Sequence, residues 1–364
     1  MSRNPKLFQP YTMRSVTARN RVAVAAMCQY SATGGLGSDW HVQHLGARSV
    51  GGAGIVMTEA THVSAVGRIT PGCLGLYTPG HQAMLTRLAA VITMGGAVPG
   101  MQIAHAGRKA SSQRPWEGGG SISIADGGWQ TVAPSALKFT ESAVTETHPM
   151  SVAAIAEVIG EFRTSARMAR EAGFKIIEVH AAHGYLMHQF LSPLSNTRND
   201  QYGGDLAGRA RALMECIDAI REEWPDELPL FVRVSATDWM AGGITSEDTV
   251  ALCKMLKATG KVDLIDVSTG GILAVGPVIP ALYPGYQVPY AEAVRHQADI
   301  PVGAVGLITS PEHAEAILQN ERADLIFVAR AVLVDTVWPL RAAVALGAEL
   351  DVPNQYLRSG FGKH

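Results

Sequence analysis

At 364 residues, with 47% hydrophobic and 17% charged side chains, the chain has ample apolar material for one large core or two average ones. A formal net charge of −2 gives no electrostatic case for nucleic acid or an anionic membrane as partner. Four dispersed cysteines, Cys28, Cys73, Cys216 and Cys253, form no CxxC pair, which argues against an iron–sulfur cluster, a zinc ribbon or a disulfide scaffold and suits the reducing cytoplasm.

In chain order, the opening MSRNPKLFQPYT has no apolar stretch of the kind a leader needs, and no later run approaches the ~18 apolar residues of a spanning helix. The chain therefore reads as soluble and cytoplasmic. Val22 to Ala26 is a short strand ending in Met27-Cys28-Gln29-Tyr30, with a helix around Asp39 to Val50 after it. Gly54 to Thr58 is a second strand, followed by a helix over 81–94. Ala97 to Ile103 is the third and runs into HAGRKA at 105–110. The rhythm then breaks: Ala110 to Pro149 is about forty residues with Gly118-Gly119-Gly120 and no clear helix, a length that is usually functional. Residues 107–149 are therefore set apart as an excursion after the third strand.

Met150 to Ala172 is strongly helical, with Gly173 placed to end it. The fourth strand opens the stretch Lys175 to Gly204 with Ile176, Ile177 and Val179. Strand and helix then alternate: helix 205–224, Leu230 to Ser235, helix 246–259 with Ser246 as N-cap, Leu264 to Ser268, helix 290–297, Val302 to Val305, helix 310–319, Leu325 to Ala329, helix 331–346. Eight such alternations predict an α/β chain of a single (β/α)8 TIM barrel over residues 1–364. A doubly wound sheet would need fewer units, and no GxGxxG follows the first strand. Residues 351–364, with Pro353 and Gly360, read as an extended tail leaving the barrel.

Barrels gather their chemistry at the strand C-termini, and polar side chains crowd in there. The fourth strand delivers His180, His183 and Tyr185, two ring donors and a phenol that could polarise and protonate one substrate. The same histidines with Glu178 could instead hold a metal ion. On the fifth strand, alternation sends Arg233 inward, where a guanidinium needs an acceptor: a ligand edge, or a salt bridge with Glu59 or Glu178. Gln102, inward on the third strand, offers a donor beside an acceptor. Read as lying on neighbouring strands, the two favour a planar heterocycle. Gly306 and Ala329-Arg330, ending the last two strands, suit a phosphate. Cys28 is a small apolar filler or a cofactor contact.

These residues stand in motifs, MCQY at 27–30, QIAHAGRKA at 102–110, HAAHGYLMHQFLSPLSNTRNDQYGG at 180–204 and SATDW at 235–239, that resemble the Old Yellow Enzyme family of flavin ene-reductases. The resemblance covers essentially the whole chain. It is nearest to the thermophilic-like and xenobiotic reductase branch, NADPH dehydrogenases with a cysteine near the flavin. It implies non-covalent FMN over the C-terminal mouth, with Ala25, Met27, Cys28 and Ala60 beside it, Gln102 and Arg233 at the ring, and Gly306, Ala329 and Arg330 at the phosphate. It implies that His180 and His183 bind the substrate oxygen, that Tyr185 donates the proton, that Cys28 tunes the flavin and that Tyr30 lines the pocket. NADPH would be the reductant, and electron-poor alkenes such as enones and enals, and nitro compounds, the small-molecule substrates. No metal is implied. A homodimer or dimer of dimers is implied, with Arg358 of the QYLRSGF tail reaching a neighbouring subunit's site.

Three positions depart from the family pattern. Ala26 replaces a proline, DLAGR at 205–209 lacks the usual Glu-Asn, and Val305 stands for a tryptophan over the pocket, which implies a roomier site. The competing readings are a dienoyl-CoA reductase, which would carry a cluster and further domains; a metal-dependent hydrolase using His180, His183 and Glu178; and a non-catalytic binding barrel.

Overall fold

Short β-branched runs set the architecture. The computed structural model describes residues 5–274, 282–359 and 361, so the expectations for the first four residues and the end of the tail lie outside the described residues. Its strands β1 (Val22–Val24), β2 (Ile55–Met57), β3 (Val98–Ala104), β4 (Ile176–Ala181), β5 (Leu230–Ser235), β6 (Leu264–Ser268), β7 (Val302–Ala304) and β8 (Leu325–Val328) pair in chain order, all parallel. β8 pairs back onto β1, which closes the barrel. The segment Thr61–His62 adds to the end of β3.

Alternation along each strand separates two cores. Val22, Val24, Val232, Val234, Ile265 and Val267 face outward and pack with the helices. Ala23, Ile55, Met57, Ile176, Phe231, Leu264, Leu325 and Phe327 fill the interior. Two strand glycines make room there: a Cβ on Gly100 would lie 2.2 Å from the Met57 sulfur, and one on Gly303 2.2 Å from Cε2 of Phe327. An antiparallel hairpin, Tyr11–Met13 with Val16–Ala18, plugs the bottom through Met13 and Ala18.

The helices are α1 (Asp39–Val50), α2 (Pro79–Met94), α3 (Val152–Glu171), α4 (Leu186–Leu191), α5 (Leu206–Arg221), α6 (Ser246–Ala258), α7 (Val288–Ala298), α8 (Pro311–Gln319), α9 (Arg330–Val334) and α10 (Trp338–Leu346). Side-chain caps start many of them, including Thr78 on α2, Ser151 on α3, Asp205 on α5 and Ser310 on α8. Three sequence expectations are corrected. The cap of α6 is Thr245, not Ser246, because Thr245 and Asp248 satisfy each other's backbone N–H groups in a capping box. The last helix is two, α9 and α10, since Pro339 in the first turn of α10 cannot continue a helix through Asp335. The tail is not extended but turns tightly over Asn354–Ser359, beginning where Tyr356 N–H bonds Pro353 O at 2.7 Å.

The excursion after β3 contains short 3-10 turns and a two-stranded parallel pair, Thr131–Ala133 with Thr147–Pro149. It lies over the C-terminal mouth. Arg114 Nε donates to Tyr30 O at 2.9 Å, Trp116 meets the Tyr30 ring edge-on at 5.9 Å, and Phe139 lies under the Lys109 ammonium at 4.5 Å.

Candidate active site

β4 ends in a bend that turns three rings toward one another. The His180 and His183 centroids are 5.2 Å apart at 89°, and those of His180 and Tyr185 4.8 Å apart at 77°. His183 adopts φ 57° and Gly184 φ 74°, the left-handed region; a Cβ on Gly184 would stand 2.1 Å from Gly271 O. The neighbouring elements fix this bend. His183 N–H donates to Ser235 Oγ at 2.9 Å, Gly184 N–H to His188 Nδ1 at 2.8 Å, and Gln189 Nε2 to Gly184 O at 2.7 Å. Because His188 Nδ1 accepts, its proton is on Nε2, 3.0 Å from buried Asp238. Lys109 Nζ donates to His183 O at 2.8 Å and to Gly271 O at 3.2 Å, and stands 5.0 Å over the Tyr185 ring.

Burial, and then nearby cations including Arg233 and Lys109, push both imidazoles well below their ordinary range, so they are neutral. Burial likewise holds the Tyr185 phenol protonated. His183 Nε2 lies 2.7 Å from Ser268 Oγ.

A polar layer crosses the barrel just below. Gln102 Nε2 donates to Glu178 Oε1 at 2.7 Å, and Arg233 Nε lies 3.1 Å from Asp266 Oδ2, off the N–H axis. Two expectations are corrected here. Gln102 and Arg233 are not on neighbouring strands, because β4 runs between them. Arg233 pairs with neither Glu59 nor Glu178 but with Asp266, its register partner on β6. Burial, together with the charge of Asp266, pushes Glu178 up to about 8.

The remaining expected residues ring this layer. Ala25 is buried, its N–H bonded to Val328 O at 3.0 Å, and Met27 packs on the outer core. Cys28 is half-buried; its sulfur meets the Tyr30 hydroxyl and the Ala60 N–H, and burial pushes the thiol up. Beyond β7 and β8, a cavity of about 120 Å³ is lined by Arg233, Ser268, Gln287, Gly306, Ala329 and Arg330 among others. Val305 belongs to its wall and to the interior core. Gly306 has φ 121°, and a Cβ there would come within 3.0 Å of the Gln287 amide. Arg330 is exposed.

Arg358 is not brought to this site. Its tail turn lies beside Arg19 and Gly96, at the opposite end of the barrel. Nor do the histidines and Glu178 form a metal centre: among the described residues no three His, Cys, Asp or Glu side chains converge to hold an ion. Sequence reasoning missed Lys109, Asp266, Gln287 and the His188–Asp238 pair. Lys109 and His188 lie within the quoted motifs, whereas nothing in the local sequence marks Gln287.

The family model for the NADH:flavin oxidoreductase / NADH oxidase family matches residues 6–349. The chain belongs to that family. NADPH dehydrogenase of Geobacillus sp. (strain WCH70) is 47% identical over 354 residues, 97% of this chain and 98% of that protein. NADPH dehydrogenase of Listeria innocua serovar 6a is 44% identical over 356 residues, 97% of this chain and 99% of that protein. Among solved structures, morphinone reductase superposes with a TM-score of 0.79 at 25% identity over 97% of this chain and 93% of that one. A 2-naphthoyl-CoA reductase superposes with a TM-score of 0.84 at 28% identity, but the chain spans only 52% of that longer protein.

The protein is thus an FMN-dependent oxidoreductase of the Old Yellow Enzyme type, with NADPH as reductant. The residues present fit FMN. Arg233 is an inward guanidinium with an Nε that makes no aligned hydrogen bond, Gly306 leaves a cradle that a side chain would fill, and Arg330 is a cation lining the same cavity. No helix among the described residues is long and apolar enough to cross a membrane.

Proposed function

We propose that the protein is an ene-reductase acting on enones, enals and similar electron-poor alkenes. The observation that carries this reading is the His180–His183–Tyr185 cluster standing above the Gln102–Arg233 layer. FMN, when bound, would supply the redox chemistry, hydride transfer between NADPH and the β-carbon of the alkene. Gln102 and Arg233 would hold its ring, with Ala25, Met27, Cys28 and Ala60 on the β1–β2 side, and Gly306, Ala329 and Arg330 would hold its phosphate. His180 and His183, as neutral imidazoles, direct N–H groups at the substrate oxygen and stabilise the charge that grows there, worth about 3 kcal/mol for one such donor. Tyr185, kept protonated by burial, gives its proton to the α-carbon. Tyr30, aimed by its φ of 51° and backed by Trp116, lines the pocket. Arg358 completes the site of a neighbouring copy in a homodimer or dimer of dimers; its position far from its own mouth favours that reading.

Isotope placement tests the reaction. With 2-cyclohexenone, deuterium from labelled NADPH is expected at the β-carbon and solvent deuterium at the α-carbon of cyclohexanone. Reduction of the carbonyl to an alcohol, with the alkene intact, would overturn it.

A further inference from the structure

Glu59 and His41 have no part in the chemistry above, yet they form a buried pair beside Cys28, with side chains 1% and 2% exposed. His41 is in the first turn of α1, and its Nδ1 accepts the Ser38 N–H at 3.0 Å. Its proton is therefore on Nε2, which lies 3.0 Å from Glu59 Oε1, off the N–H axis. The other oxygen, Oε2, accepts the Gln29 N–H at 3.2 Å, and the Tyr30 N–H also bonds the carboxyl. Every partner in this set is a donor. A protonated carboxyl needs an acceptor for its own hydrogen, and none is in this set; a carboxylate only accepts. The donor set therefore identifies Glu59 as an anion, against the upward push of burial.

This anion sits where two site residues change direction. Gln29 and Tyr30, whose N–H groups it receives, follow Cys28 directly, and Tyr30 is held at φ 51°, costly for a residue with a side chain. Ala60, whose N–H meets the Cys28 sulfur, is the next residue after Glu59. The groups facing the thiol are the Tyr30 hydroxyl on its own segment, Glu59 and the Ala60 N–H after β2, Cys73 before α2, and Tyr185 after β4. Those facing Glu59 are His41, Cys28, Cys73 and Tyr30.

We propose that Glu59 is a positioning residue for the Cys28–Tyr30 corner: a fixed buried anion, anchored to α1 through His41, that ties the corner's backbone and adds its charge to the burial that opposes ionisation of the Cys28 sulfur. The inference concerns the corner itself and does not require Cys28 to touch the cofactor.

Thiol alkylation reads it directly. Cys28 is partly exposed while Cys73, Cys216 and Cys253 are each 0% exposed, so iodoacetamide uptake, followed by mass in the FMN-loaded protein and in protein stripped of FMN, reports Cys28 with and without the flavin beside it, with Cys28→Ser as control. Glu59→Gln is expected to move the alkylation profile to lower pH and to speed labelling at about pH 8 by about tenfold, one pKa unit. Glu59→Asp, which keeps the charge, is expected to restore the wild-type profile. A folded Glu59→Gln protein whose profile overlays the wild type overturns the proposal, as does a Glu59→Asp profile that follows Glu59→Gln. If Glu59→Gln does not fold, His41→Leu decides: losing that donor favours a protonated Glu59 and moves the profile the same way, and an unmoved profile overturns the proposal.

Discussion

His180 and His183 are neutral because both are buried and both face cations. On the proposed reading each neutral imidazole would offer one N–H to the substrate oxygen, and Tyr185 would offer a proton that burial keeps on the phenol at ordinary pH. Distinct losses are expected from removing them. Tyr185→Phe should slow the alkene half-reaction by about 10²-fold or more while leaving reduction by NADPH unchanged. His183→Ala should lower alkene turnover by about 10²–10³-fold, the loss of one oxyanion donor. Stopped-flow spectra of the two half-reactions, read separately, check both. Equal slowing of both halves in Tyr185→Phe would show that the phenol is not a proton donor to the alkene.

Among the elements, the barrel interior is where a small change is felt most. Gly303→Ala drives a methyl into the rigid Phe327 ring, and Gly100→Ala drives one into the flexible Met57 thioether. The first should destabilise by about 1–3 kcal/mol, and the second by less, because a thioether repacks where a ring cannot. Urea midpoints at constant m-value give both numbers. These glycines also mark what the sequence made legible. Apolar runs of alternating face placed all eight strands, and alternation sent Arg233 and Gln102 inward. Which strands neighbour which is a matter of three-dimensional order, so the partner of Arg233 had to come from register, where Asp266 stands beside it. The bend after β4 was legible as a His–His–Tyr cluster. Its supports were not, because Ser235, His188 and Gly271 reach it from other elements. The break at Asp335–Val337 and the Thr245 cap were missed where a helical pattern ran across a proline or one residue past its cap.

For the molecule as a whole, two properties follow. Burial pushes His62 to about 3 and His105 to about 4, below their ordinary 6.5. Between about 4 and 6.5 the unfolded chain therefore binds more protons than the folded one, and stability falls as pH falls through that window, by up to about 1.4 kcal/mol per pH unit for each histidine. His105→Gln should flatten this acid loss when denaturation midpoints at about pH 7 and 5 are compared. An unchanged slope would show that His105 is not buried neutral. The second property is assembly. With Arg358 lodged at the far end of its own barrel, Arg358→Ala should raise KM for the alkene only if a neighbouring copy receives it. Unchanged kinetics would remove Arg358 from the site.

The most direct measurement is the visible spectrum of the purified protein, titrated anaerobically with NADPH and then with 2-cyclohexenone. A yellow protein that bleaches with NADPH and regains its colour with the enone is the predicted result if, as proposed, both half-reactions share the one site. A protein that stays colourless after reconstitution with FMN, or one that NADPH bleaches and the enone never restores, would contradict it.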